Sequence, residues 1–71
     1  MPKYEIALYN EEVRVLVKQG ESHDGFEDSW ADTHYIEVMA PGEEMARAKI
    51  GKQYPPHRGF VIEQISQVIP D

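Results

Sequence analysis

The sequence predicts a small two-layer α/β (α+β) domain, in which a three-stranded sheet carries one long and one short helix on one face, in the order β-α-β-α-β. Two observations predict this fold. Residues 3–9, 32–40 and 60–69 alternate apolar and polar side chains as half-buried strands do. Between these segments, residues 10–20 and 41–54 begin and end with residues typical of helix termini.

The chain has 71 residues, which predicts a single domain over residues 1–71. A chain of this length buries only roughly 60% of the surface that its unfolded form exposes. It contains no cysteine, which excludes disulfides, thiolate metal sites and cysteine nucleophiles. Additional stability must therefore come from good packing or from association with another subunit.

The charge is acidic and unevenly distributed. The formal net charge is −6, and residues 21–44 hold eight carboxylates without a lysine or arginine. Residues 45–71 hold two acids and four bases. An acidic field of this kind repels nucleic acids and anionic membranes, so we expect neither as a partner. No apolar run is long enough to cross a bilayer, and the N-terminus does not look like a secretory signal, so we expect a cytoplasmic location.

The first half of the chain contains one clear strand and one ambiguous segment. Tyr4, Ile6 and Leu8 predict one apolar face of a strand. Residues 10–20 favour a short helix, with Asn10 as the N-cap and Gly20 as the C′ residue. The alternation of three valines leaves a second strand as the alternative, and residues 9–12 would then form a hairpin turn.

The second helix is predicted to begin with Pro41 in its first turn. Its apolar stripe consists of four residues: Met45, Ala46, Ile50 and Tyr54. Gly51 is unfavourable in a helix interior, and a close approach to a strand would explain it. Pro55 ends the helix, because it cannot donate a backbone hydrogen bond and restricts the residue before it.

The last strand carries apolar residues on both faces near its start, which predicts a central strand. Strict alternation places Phe60 and Ile62 on one face, and Val61, Glu63 and Ile65 on the other. The strand–helix–strand unit before it predicts a crossover between parallel strands. The stretch 35–65 resembles the strand–helix–strand unit of many small bacterial proteins, and that likeness of architecture implies no function.

Residues 20–32 predict an acidic loop, because glycines, serines and scattered acids break any periodicity. Phe26 and Trp30 are expected to fold back onto the core and anchor it. The acids do not follow the spacing of a calcium loop. The three histidines, His23, His34 and His57, lack the spacing of a zinc site.

No pattern for catalysis or cofactor binding is present. The sequence contains neither a glycine-rich phosphate loop nor a nucleophile elbow. We therefore expect no catalytic residue, no cofactor and no metal, and predict a protein that is not an enzyme.

The predicted function is a small protein-interaction or accessory module, with a homodimer or another protein as its partner. A three-stranded sheet leaves two edges whose backbone groups are free to pair. The candidate interaction surface comprises seven residues of the acidic loop and the basic segment: Asp24, Glu27, Asp28, Trp30, Arg47, His57 and Arg58.

Two alternatives remain open at this stage. One is a small enzyme or a ligand-binding or cation-binding protein that uses the acidic loop, with His34 or His57. The other is nucleic-acid binding through the basic strip of residues 47–58, which the net charge opposes.

Overall fold

The computed structural model describes residues 1–69; Pro70 and Asp71, the last two residues of the predicted domain, lie outside this range. Three strands and two helices follow one another in the predicted order. They are β1 (Lys3–Asn10), α1 (Glu11–Lys18), β2 (His34–Met39), α2 (Glu43–Gln53) and β3 (Phe60–Val68). Single 3-10 turns occur at Asp28–Ala31 and Pro56–Arg58. The predicted two-layer fold is confirmed.

The sheet has the order β2-β1-β3, and β1 is antiparallel to both neighbours. The strands β2 and β3 thus run in the same direction, as predicted for the crossover, and β1 lies between them. The prediction that β3 is central was wrong, because β1 takes that position. Val61, which suggested two buried faces, remains 37% exposed at the sheet edge.

The hydrophobic core lies on one face of the sheet. Tyr4, Ile6 and Leu8 of β1 are buried there against Ala46 and Ile50 of α2. The shortest dimension of the Cα trace is 14 Å, which accommodates a sheet and one helical layer about 10 Å apart. Within residues 1–69, no further layer therefore covers the opposite face of the sheet.

A bulge in β3 changes which side chains reach the core. The register passes from Ala7 opposite Gln64 to Leu8 opposite Ile62, so Glu63 is an extra residue. Ile62 and Ile65 consequently both pack against the core, although strict alternation placed them on opposite faces. That part of the prediction was wrong because an inserted residue shifts the alternation by one position.

The segment after β1 is a helix, as favoured over the hairpin alternative. Asn10 is the last residue of β1 and also the N-cap of α1, where its side chain accepts a hydrogen bond from the Val13 nitrogen at 3.1 Å. Gly20 adopts a φ of 76° and donates to the Val17 carbonyl, while Glu21 donates to the Leu16 carbonyl. This pair of bonds is a Schellman motif, which confirms Gly20 as the C′ residue.

Helix α2 differs in three details from its prediction. It begins after Gly42, so Pro41 precedes the helix and is not in its first turn. Met45 is 51% exposed, because the side of α2 that faces the core is narrow and holds only Ala46 and Ile50 as fully buried residues. A Cβ on Gly51 would have no heavy atom within 4 Å, so no close approach to a strand explains this glycine.

Candidate functional site

The acidic loop is anchored by aromatic rings, as predicted. The Phe26 and Trp30 rings lie 5.1 and 5.2 Å from the Phe60 ring, both in edge-to-face geometry. The Trp30 ring also lies 5.3 Å from the Tyr54 ring. Edge-to-face pairs stabilise beyond their buried area, so the start of β3 and the end of α2 hold the loop in place.

Two histidines contact the loop, His23 from within it and His34 from the start of β2. His34 stacks on Trp30 with the ring centroids 4.0 Å apart, and its Nε2 lies 2.9 Å from the Ser29 carbonyl oxygen. His23 Nδ1 accepts a hydrogen bond from the Gly25 nitrogen at 2.8 Å. Because Nδ1 accepts, the neutral His23 ring carries its proton on Nε2, which lies 3.0 Å from Glu12 Oε1. His23 therefore joins the loop to α1.

The structure brings together only part of the predicted interaction surface. The Arg58 guanidinium carbon lies 5.2 Å from the centre of the Phe26 ring, and its Nη2 lies 3.4 Å from where a Cβ on Gly25 would be. The turn at Pro56–Arg58 and the acidic loop are thus neighbours. Arg47 is exposed on α2, which is a different element, and His57 is exposed in the turn.

The acids of the loop point to solvent. Asp24, Glu27 and Asp28 are exposed, and Asp28 Oδ2 accepts a hydrogen bond from Ser22 Oγ at 3.3 Å. Within residues 1–69, no group of three or more His, Asp or Glu side chains is placed to hold a metal ion. An open groove of about 420 Å³ runs beside α1, and its lining residues are Glu11, Glu12, Val15, Leu16 and His23.

The most distinctive surface is the uncovered face of the sheet, which we call the open face. Its members alternate with the core residues along the three strands. They are Lys3, Glu5 and Ala7 of β1, Tyr35, Glu37 and Met39 of β2, and Gln64, Ser66 and Val68 of β3. Ala7 is buried and Ser66 is half-buried, whereas the other seven are exposed. Tyr35 is 66% exposed and Met39 is 43% exposed, so large apolar surfaces face solvent here.

Two carboxylates stand side by side at the centre of the open face. Glu5 and Glu37 are directly opposite each other in the register of β1 and β2. The Ala40 nitrogen donates to the Pro2 carbonyl, and this bond fixes the alternation along the pair. Glu5 and Glu37 therefore form a non-hydrogen-bonded pair, the type that brings opposed side chains closest. Like charges in this position destabilise a sheet.

No basic side chain among residues 1–69 forms an ion pair with these two acids. The one Lys, Arg or His nitrogen of this range that lies within 4.0 Å of a carboxylate oxygen is His23 Nε2, next to Glu12 on another part of the surface. Lys3 lies on the same face as Glu5, two residues away along β1, without reaching that distance. The open face thus presents two unneutralised carboxylates between exposed apolar side chains.

At its end near α1, the open face is covered by side chains of the protein itself. The Arg14 guanidinium lies 3.5 Å from the centre of the Tyr9 ring, and its Nε donates to the Ala31 carbonyl at 2.8 Å. Thr33 donates a hydrogen bond to Glu63, the bulge residue. Burial raises the pKa of the Tyr9 phenol above its usual 10.0, and the nearby Glu11 raises it further. These contacts close the open face at this end.

The sequence predicts only part of the open face. The polar alternation of residues 33–39 indicates that one side of this strand faces water. The register between β1 and β2, which sets Glu5 against Glu37, depends on tertiary pairing. No local pattern in the sequence indicates which residues of the two strands lie opposite each other.

No helix among residues 1–69 is long and apolar enough to cross a membrane. The chain matches no known protein family, and no curated protein or solved structure is significantly similar to it. Its function must therefore be inferred from the geometry of its surfaces.

Proposed function

We propose that the protein is a non-enzymatic interaction module, and that the open face binds a partner segment that carries basic and apolar side chains. The observation that supports this proposal is the unneutralised pair of Glu5 and Glu37 between the exposed side chains of Tyr35 and Met39. The partner is a protein or peptide, bound across the strands.

Charge selects a basic partner. An arginine or lysine placed between two opposed carboxylates removes their mutual repulsion and gains an attraction to each of them. The net charge of −6 attracts a basic partner over a longer range. A second copy of the chain is a poor occupant of this face, because it would bring four glutamates together.

The exposed apolar side chains supply contact area. The Tyr35 ring offers a flat surface on which a guanidinium group or an aliphatic side chain can pack. Met39 adapts its shape to different neighbours, because its unbranched side chain is flexible and polarisable. Tyr35 and Met39 flank Glu37 along β2, so the apolar contacts and the charge lie on one continuous surface.

The geometry offers no support for the two alternative functions, cation binding and nucleic-acid binding. Cation binding by the acidic loop would require converging ligands, and no such group occurs within residues 1–69. Nucleic-acid binding through residues 47–58 would require one continuous basic surface. Arg47 and Arg58 lie on separate elements, and Arg58 is placed against the Phe26 ring.

The experiment is an NMR titration of the ¹⁵N-labelled protein with a hexapeptide of alternating arginine and leucine. We expect the amide signals of Glu5, Glu37 and their neighbours on the open face to shift, and the shifts to weaken as salt is added. A hexapeptide of alternating glutamate and leucine serves as the control peptide. It should leave these signals unchanged.

A pair of matched variants locates the site. Glu37→Gln should weaken binding of the basic peptide at least threefold, because it removes one carboxylate of the pair. Glu27→Gln removes the same charge from the acidic loop and should leave binding unchanged. If Glu27→Gln weakens binding and Glu37→Gln does not, the acidic loop is the binding surface and the proposal is wrong.

A further inference from the structure

The two edges of the sheet differ in how they are protected. On the β2 edge, Lys49 Nζ donates a hydrogen bond to the Met39 carbonyl oxygen at 2.6 Å. Lysines near an edge are a common protection against the addition of another strand. On the β3 edge, no hydrogen bond within residues 1–69 reaches the backbone groups that point away from β1.

The alternation of bonds identifies those outward-pointing groups. The bond from Ala40 to Pro2 assigns the even-numbered residues of β1 to β2, so the odd-numbered residues bond to β3. In the register with β3, Lys3, Glu5 and Ala7 lie opposite Val68, Ser66 and Gln64. The backbone groups of Ile65 and Gln67 therefore point outward and are available for pairing.

From these relationships we infer that a second copy of the chain adds to the β3 edge, with the two β3 strands antiparallel and paired about Ser66. In this register, Ile65 lies opposite Gln67 of the other copy, and Gln64 lies opposite Val68. The single acid of the strand, Glu63, lies opposite Ile69, so no carboxylate faces another. Nine residues, Phe60–Val68, contain no proline, lysine or arginine that would block the addition.

Charge does not oppose a second copy at this edge. Glu63 is the single charged residue of β3, whereas the carboxylates of Glu5 and Glu37 lie on β1 and β2. Contact at β3 therefore adds one acid from each copy, and in this register the two Glu63 side chains do not lie opposite each other. The half-buried Ile62 and Ile65 on this edge strand gain cover in the dimer.

The dimer does not depend on the proposed function, because it forms through backbone hydrogen bonds at the β3 edge and leaves the open face accessible. It joins two three-stranded sheets into one of six strands, which removes an unprotected edge from each copy. A small domain with a limited core also gains stability from such association.

Gln67→Pro tests the pairing. The Gln67 nitrogen points outward, so proline there removes only a bond to the second copy and spares the bonds to β1. We expect the wild-type protein to sediment as a dimer and Gln67→Pro to raise the dimer dissociation constant at least tenfold. Circular dichroism establishes that the variant is folded. A wild-type protein that stays monomeric at about 1 mM, or a folded Gln67→Pro variant that dimerises unchanged, would overturn the inference.

A disulfide provides a test that does not depend on a proline. The chain has no cysteine, and Ser66 lies opposite its own copy in a closely spaced, non-hydrogen-bonded pair. Mild oxidation should therefore link Ser66→Cys chains into dimers far faster than the control Glu37→Cys, which is on β2. Equal rates of linkage for the two variants would contradict the inferred register.

Discussion

Asn10 Nδ2 donates a hydrogen bond to the Arg58 carbonyl oxygen at 3.1 Å, while the Oδ1 of the same side chain accepts from Val13 at 3.1 Å. One fully buried amide thus caps α1 and holds the turn that leads into β3. The Glu11 nitrogen adds a bond to the Gly59 carbonyl at 2.7 Å. The start of α1 and the start of β3 are therefore stabilised together.

Replacing Asn10 should destabilise both elements. We expect Asn10→Ala to lower the free energy of unfolding by about 2–3 kcal/mol, from loss of the N-cap and of the hydrogen bond to the Arg58 carbonyl. Urea unfolding measures the change. Asn10→Ser retains a capping oxygen and adds no charge, but its shorter side chain lacks the amide donor, so it separates the two contributions. If Asn10→Ser is as stable as the wild type, the bond to Arg58 contributes nothing.

Gly59 should tolerate no side chain. Its φ is 99°, a conformation that L-residues rarely adopt. A Cβ there would lie 2.7 Å from Asn10 Oδ1 and 2.8 Å from Glu12 Cγ. We expect Gly59→Ala to lower the free energy of unfolding by about 3 kcal/mol, which thermal and urea unfolding would detect. A loss below about 1 kcal/mol would show that the turn adapts to the added methyl group.

Gly51 should behave in the opposite way. It lies in the interior of α2 at an ordinary helical position, and a Cβ would have no heavy atom within 4 Å. Gly51→Ala should therefore raise the free energy of unfolding by about 0.5–1 kcal/mol, because alanine restricts the unfolded chain and favours the helix. The same unfolding experiments measure it. Destabilisation would contradict the open space around Gly51 and the helix preference of alanine.

Local signals predicted most of the secondary structure. Asn10, the glutamates after it and Gly20 are a complete set of helix-end residues, and they correctly outweighed the alternation of the valines. Phe26 and Trp30 were correctly predicted to anchor the loop, because large rings in a small protein are seldom left in solvent.

The errors about the sheet concern pairing between distant residues. The strand order and the bulge at Glu63 depend on how β1 meets β3, some fifty residues away, and no periodicity within β3 contains that information. The same limit applies to the candidate site. Tyr35, Glu37 and Met39 alternate visibly in the sequence, whereas the opposition of Glu37 to Glu5 follows only from the register.

Tyr9 should make stability depend on pH in the alkaline range. Burial and the nearby Glu11 raise the pKa of its phenol above 10.0, while Arg14 opposes the rise. The folded protein therefore holds this proton more tightly than the unfolded chain does. This contribution is constant below about pH 10, and stability falls as the pH rises further. Urea unfolding at increasing pH should show a smaller fall for Tyr9→Phe than for the wild type. Parallel curves for the two proteins would contradict the prediction.

His23 should control the order of the acidic loop. Its Nδ1 accepts from Gly25 and its Nε2 donates to Glu12, so one ring ties the loop to α1. His23→Ala removes both bonds, and we expect the Gly25 amide proton to exchange with solvent roughly three to ten times faster, as the loss of a single hydrogen bond implies. His57→Ala is the matched control, since His57 is exposed in the turn that precedes β3. Equal exchange rates at Gly25 in the two variants would show that Phe26 and Trp30 alone hold the loop in place.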